Sequence, residues 1–161
     1  IMAIVMTQTK EGKYAPNKKY VGRDASYILK EAGIYAEGAK AVIAEVQFEH
    51  PLVMTEMLMP VVPVTRVADV DEAIAKAVIA ENGCHHTALM HSENVSNLTK
   101  MARAIDTTIF VKNAPSYAGL GIDGEGYTTL TIATPTGEGL TSAKSFTRSR
   151  RCTLHGAFRI I

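Results

Sequence analysis

The sequence predicts an α/β protein built on parallel strands, and three observations carry that prediction. Strand-length apolar runs alternate with amphipathic helical segments from residue 22 to residue 111. The joints between them are short, which implies parallel pairing through right-handed crossovers. Two runs, 41–46 and 107–111, are apolar or β-branched apart from Glu45, as strands covered by helices on both faces are.

Composition sets the bounds. A chain of 161 residues is one domain's worth and buries about two-thirds of its unfolded surface. Its 47% apolar and 20% charged content is that of a soluble globular domain. A net charge of +1 gives no pull toward nucleic acid or an anionic membrane. The two cysteines lie far apart without CxxC spacing. They offer neither a disulfide framework nor a metal site, and a reducing compartment is the simpler setting.

Taken in order, the elements read as follows. The opening IMAIVM is apolar. It suits a helix cut from a longer chain, or equally a native amphipathic first helix. It is too short to span a bilayer and lacks the cationic start of a signal peptide. Residues 9–19 are polar, carry Pro16 and read as a linker. Residues 22–33 read as a helix with Ala25, Ile28, Leu29 and Ala32 on one face, Asp24 as its cap and Gly33 as its stop. Residues 41–46 and 61–67 are strands, and Pro63 marks the second as an edge or a bulge. Residues 69–82 form the clearest helix: Asp69 and Glu72 make a capping box. Val70, Ala73, Ile74, Ala77 and Val78 make its apolar stripe, and Gly83 ends it. Residues 87–91 are a strand. Ser92 caps the next helix, with Val95, Leu98, Met101, Ala102 and Ile105 on its buried face. Residues 107–111 form the last strand of this run.

The final third is different. It has several glycine turns, few bulky apolar residues and a basic close, Arg148-Ser149-Arg150-Arg151. The glycines at 119, 121, 124 and 126 imitate a dinucleotide fingerprint only in spacing. No apolar helix follows them and no βαβ unit surrounds them.

Several motifs carry a resemblance. Glu56-Met57-Leu58-Met59-Pro60-Val61-Val62-Pro63-Val64, Gly83-Cys84-His85-His86-Thr87-Ala88, Val111-Lys112-Asn113-Ala114-Pro115-Ser116 and Thr134-Pro135-Thr136-Gly137-Glu138-Gly139-Leu140-Thr141-Ser142 resemble the C-terminal part of the CoA-acylating aldehyde dehydrogenases. The likeness is closest to the ethanolamine- and propanediol-utilisation enzymes of bacterial microcompartments. It spans nearly the whole chain and is strongest from Glu56 to Cys152. It implies a portion of the aldehyde dehydrogenase catalytic domain over residues 1–147. Residues 148–161 would be a C-terminal strand that pairs across a subunit interface in a homo-oligomer.

The resemblance also implies chemistry. A short-chain aldehyde, acetaldehyde or propionaldehyde, reacts with coenzyme A and NAD to give acyl-CoA and NADH. The enzyme would be cytoplasmic or enclosed in a microcompartment, with no nucleic acid, membrane or metal involved. Glu56 would accept hydrogen bonds from the nicotinamide ribose. Leu58 would pack on the nicotinamide, where the superfamily usually has an aromatic. Without the resemblance, Glu56 reads as a solvated acid before a strand. His86 would move a proton near the thiol chemistry, since histidine titrates near neutrality; the competing reading makes it a cap on the preceding helix. Pro115, Thr136 and Gly137 would line the mouth where aldehyde and CoA enter. Cys84 reads as a small buried hydrophobe rather than a reactive thiolate. The family's nucleophilic cysteine and nucleotide-binding loop have no counterpart here, so the isolated chain is expected to be inactive. The alternative from another class is an oligomerisation or interaction module with no chemistry of its own.

Overall fold

The apolar opening forms one helical turn, α1 (Met2–Val5), and passes directly into β1 (Met6–Gln8). The computed structural model describes residues 1–124 and 141–156. The chain divides into two units, Ile1–Asn82 and Gly83–Ile161.

In the first unit, β1 pairs antiparallel with β2 (Tyr14–Pro16). The linker expected at residues 9–19 is therefore corrected to a hairpin turn and its second strand. Thr9 N–H bonds the Lys13 carbonyl at 2.8 Å, and Gly12 turns the chain at φ +78°. The polar residues that suggested a linker are the hairpin's exposed tip. Asn17 then ties the hairpin to α1, its side chain donating to the Ile4 carbonyl at 2.8 Å.

Helix α2 (Ala25–Glu31) buries Ala25, Ile28 and Leu29, and Gly33 follows it at φ +77°. Asp24 occupies the N-cap position but makes no side-chain capping bond. Ile28 and Val5 are fully buried at the centre of this unit, beside Met6, Tyr20, Val42, Leu52, Met57 and Val61. Such burial stabilises by roughly 1.5–3 kcal/mol per large aliphatic side chain.

Strands β3 (Val42–Glu45) and β4 (Val61–Val64) pair parallel, with α3 (Pro51–Met54) between them in sequence. The register runs Val42↔Val61 to Glu45↔Val64 without a bulge, so Pro63 sits on an edge strand. Val42 and Val61 face the core, while Ile43 is 73% exposed and Val62 and Val64 are exposed beside it. The expectation of helices on both faces of residues 41–46 is corrected: among the described residues, one face of this sheet is uncovered.

Helix α4 (Val70–Glu81) begins at Asp69, whose side chain accepts the Glu72 N–H. Glu72 reaches back to the Ala68 N–H rather than to that of Asp69, so the box closes one residue early. The helix ends on Asn82 at φ +57°, one residue before Gly83. Only Ile74 of the expected stripe is fully buried, and Val78 is exposed.

In the second unit, β5 (Thr87–Met90) and β6 (Ile109–Lys112) pair parallel through α5 (Val95–Ile105), which packs on β5. Leu98, Met101 and Ile105 are buried, but Val95 and Ala102 face out. The cap is Asn94, not Ser92: its side chain accepts from the Ser96 and Asn97 N–H groups, and the Ser92 hydroxyl accepts from the Asn94 N–H. A 3₁₀ turn, Ser116–Leu120, follows β6 and packs on both strands. Residues 148–155 carry no helix or strand and are exposed. Residues 157–161 of the expected C-terminal strand lie outside the described residues, as do Thr136 and Gly137. No helix among the described residues is long and apolar enough to cross a membrane.

Candidate functional site

Glu56 and Leu58 lie in the turn that leads from α3 into β4, and their neighbour Met57 anchors that turn. Met57 is buried in the core of the first unit, which forces the residues on either side outward. Glu56 is exposed, and among the described residues nothing donates to its carboxylate. Leu58 is 62% exposed and holds φ +51°. The left-handed region is uncommon for a residue with a branched apolar side chain. Its carbonyl accepts the Gly22 N–H at 3.0 Å, which fixes the turn against the start of α2.

That contact closes one wall of a cavity of about 420 Å³. Gly22, Arg23, Asp24, Lys40, Leu58 and Pro60 line it. Arg23 and Lys40 bring two cations to a pocket that the sequence motif had marked only at Leu58. Nothing in their spacing along the chain, 18 and more residues from Leu58, signals that convergence. Glu56, two residues before Leu58, is not among the residues that line the cavity.

His86 begins β5. Its ring is exposed and its Nδ1 lies 2.7 Å from the Thr87 hydroxyl, while its carbonyl accepts the Ile109 N–H at 3.1 Å. Helix α4 closes on Asn82, whose N–H bonds the Ile79 carbonyl. It is His85 that meets a helix end, and the helix is α5. Its Nδ1 lies 2.8 Å from the carbonyl of Asp106, the α5 C-cap, and 3.8 Å from that residue's carboxylate. A carbonyl only accepts, so this Nδ1 carries the proton. His85 and Asp106 both hold left-handed φ, +52° and +48°.

Cys84 is exposed, which corrects its reading as a small buried hydrophobe. It stands between left-handed Gly83 and left-handed His85 in an irregular joint that presents its side chain to solvent. Among the described residues no cluster of three His, Cys, Asp or Glu side chains is placed to hold a metal.

His86 and Pro115 lie at opposite ends of the β5–β6 pair. Thr87 registers with Ile109 at one end, and Met90 with Lys112 at the other. The 3₁₀ turn partly undoes that separation by folding back along β6. Ala118 is buried against Ile109 and Val111. A Cβ added at Gly119 would fall 2.3 Å from Ile109 Cγ2, so only glycine permits the approach. The turn thus stacks on the residue whose N–H pairs with the His86 carbonyl.

The sequence model of the aldehyde dehydrogenase family matches residues 5–124. An acetylating acetaldehyde dehydrogenase of Salmonella typhimurium is 55% identical over 153 residues, 94% of this chain and 33% of that protein. A CoA-propanoylating propanal dehydrogenase of the same organism is 56% identical over 146 residues, 89% of this chain and 32% of that protein. The crystal structure of Rhodopseudomonas palustris propionaldehyde dehydrogenase, with bound CoA and an acylated cysteine, superposes with a TM-score of 0.83. The two are 53% identical over 91% of this chain and 33% of that one. A propionaldehyde dehydrogenase from the fucose-utilisation microcompartment of Clostridium phytofermentans gives 0.81 at 44% identity, over 97% of this chain and 35% of that one. The chain spans about a third of the length of the relatives it matches.

Proposed function

The chain belongs to the aldehyde dehydrogenase family, and from that premise we propose that it is the C-terminal piece of a CoA-acylating aldehyde dehydrogenase. One observation carries the reading. Identity of 55–56% with an acetylating and a propanoylating enzyme extends over 94% and 89% of the chain. The substrates proposed are a short-chain aldehyde, acetaldehyde or propionaldehyde, and coenzyme A. The products are acyl-CoA and NADH. Location inside a microcompartment follows by analogy with the Clostridium enzyme.

NAD would be held at Glu56 and Leu58 and would supply the hydride acceptor for oxidation of the aldehyde. This chain's residues bind and orient around that step. The carboxylate of Glu56 is left open to accept ribose hydroxyls, and its charge makes such bonds stronger than neutral ones. Leu58, turned outward by its left-handed backbone, offers an apolar surface to a flat ring. Arg23 and Lys40, on the same cavity, suit a ligand that carries negative charge. The second half of the reaction needs the CoA thiol to lose its proton before it attacks the acyl group. A thiol with a pKa of about 8.5 is mostly protonated at neutral pH. His86, exposed and held at Nδ1 near Thr87, is the group proposed to assist that loss. The Pro115 turn, with Thr136 and Gly137 beyond the described residues, is proposed to border the entry for aldehyde and CoA.

The nucleophilic thiolate and the phosphate-binding loop are proposed to come from the part of the relatives that this chain does not match. The test is an NADH absorbance assay with acetaldehyde, propionaldehyde, CoA and NAD. The 161-residue chain alone should show no CoA-dependent turnover. The full-length protein, or a relative whose C-terminal third is replaced by this chain, should show it. Turnover by the isolated chain, or none by the full-length protein with either aldehyde, overturns the proposal.

A further inference from the structure

We infer that Asn113 is a positioning residue for the aldehyde and CoA entry, an inference that rests on the function proposed above. Asn113 stands just past β6 at φ +57°, a left-handed conformation that asparagine tolerates better than most side chains. It makes three hydrogen bonds across the C-terminal ends of the two parallel strands. Its backbone N–H donates to the Met90 carbonyl at 3.0 Å. Its Oδ1 accepts the Ser92 N–H at 2.7 Å, and its Nδ2 donates to the Ser92 carbonyl at 2.9 Å. The amide therefore closes a two-bond ring on the backbone of one residue, a match that neither Asp nor Ser reproduces.

The clamp joins two things. On one side is the start of α5, because Ser92 accepts from Asn94, whose side chain caps that helix. On the other is the direction in which the chain leaves β6. Two residues later comes Pro115 at φ −63°, and then the 3₁₀ turn. The far end of that turn is fixed independently, by buried Ala118 and by Gly119 lying on Ile109. Pro115, Ser116 and Tyr117 span the interval between the two anchors, and all three are exposed. Release of the near anchor lets that interval swing while the far anchor and the strand pair hold.

Asn113 is itself exposed, so water replaces its bonds readily when they are lost. Its removal should then move the turn without melting the unit. That separates a positioning role from a bulk structural one. Groups near a reacting centre are sensitive to small displacements, and a shift of an ångström in a substrate-holding segment is felt in catalysis.

The experiment uses the full-length protein with Asn113→Gly and Asn113→Asp. Glycine keeps the left-handed backbone and removes the clamp. Aspartate keeps the acceptor for Ser92 N–H and sets an oxygen against the Ser92 carbonyl. Asn113→Gly should raise the KM for aldehyde and CoA about tenfold, and Asn113→Asp by less. The KM for NAD and the melting temperature should stay unchanged. Hydrogen exchange should quicken at the amides of Ser92 and 116–118 and hold at 98–105. Unchanged aldehyde and CoA KM values overturn the inference. So does a parallel loss in all three KM values with a lowered melting temperature. If the wild-type protein shows no CoA-dependent oxidation, the function proposed above fails. Exchange then decides the clamp alone: unaltered exchange at 116–118 in Asn113→Gly removes it.

Discussion

Leu58 holds φ +51° while its side chain stands 62% exposed, so neither backbone preference nor burial explains leucine at this position. A left-handed non-glycine residue costs about 1 kcal/mol or more. A glycine would relieve that strain and lose little packing. Leu58→Gly is therefore expected to stabilise the full-length protein by about 1 kcal/mol. If Leu58 packs on the nicotinamide, the same change raises the KM for NAD roughly fivefold. Glu56→Gln, which takes the charge from the proposed ribose acceptor, should raise it about tenfold. Thermal melts and steady-state kinetics read both variants, and an unchanged NAD KM removes the residue concerned from the site. The motif around Glu56 singled out both residues in the sequence. The backbone angle of Leu58 was not legible, because leucine carries no left-handed preference to read. Arg23, Lys40 and the Asn113 clamp were missed for another reason: each depends on a tertiary approach between segments with no common spacing.

Helix α4 shows what a terminus signal fixes and what it leaves open. Asp69 and Glu72 mark the start correctly, since an N-cap bond is local and spans four consecutive residues. The buried stripe was over-read, because a 3.6-residue period names a face without saying how much cover it has. Val78 on α4 and Val95 on α5 lie on apolar stripes that the described residues leave open. The cap is testable. Asp69→Ala should cost about 1 kcal/mol, measured by denaturant unfolding of the chain. Glu72 adds a pH dependence. The Ala68 N–H first, and Lys76 at 2.8 Å second, hold its carboxyl below the usual carboxylate range. A group whose pKa is lower folded than unfolded stabilises the fold above its unfolded value, about 4.3. That contribution fades as pH falls through the lower folded value. Acid should therefore weaken the wild type more steeply than Glu72→Gln over the same range. Parallel pH profiles for the two would show that Glu72 contributes nothing to the helix start.

The α/β class with parallel pairing was legible between residues 42 and 112, because β3–β4 and β5–β6 both follow from short joints and apolar runs. The antiparallel hairpin at its start was not, since its tip is polar and its strands have three residues each. Among the described residues, two further surfaces are open. One is the β3–β4 face with Ile43, Val62 and Val64, which a parallel sheet normally covers. Chain that the relatives possess and this segment lacks is the proposed cover. The other is the basic stretch 148–155, exposed and without a strand partner among the described residues. A segment of this kind gains backbone hydrogen bonds when it adds to the sheet edge of another copy. Its three arginines disfavour self-pairing of the stretch with its own twin, where like charges would face each other. The partner edge should therefore be a different strand of the second copy. The full-length protein with and without residues 148–161 should then sediment differently, with the truncated form falling to a smaller oligomer. Raised salt should not reproduce that fall, because backbone bonding rather than charge holds the strand. An oligomer that survives truncation removes this stretch from the interface. One that dissolves in salt alone makes the arginines, and not the strand, the contact.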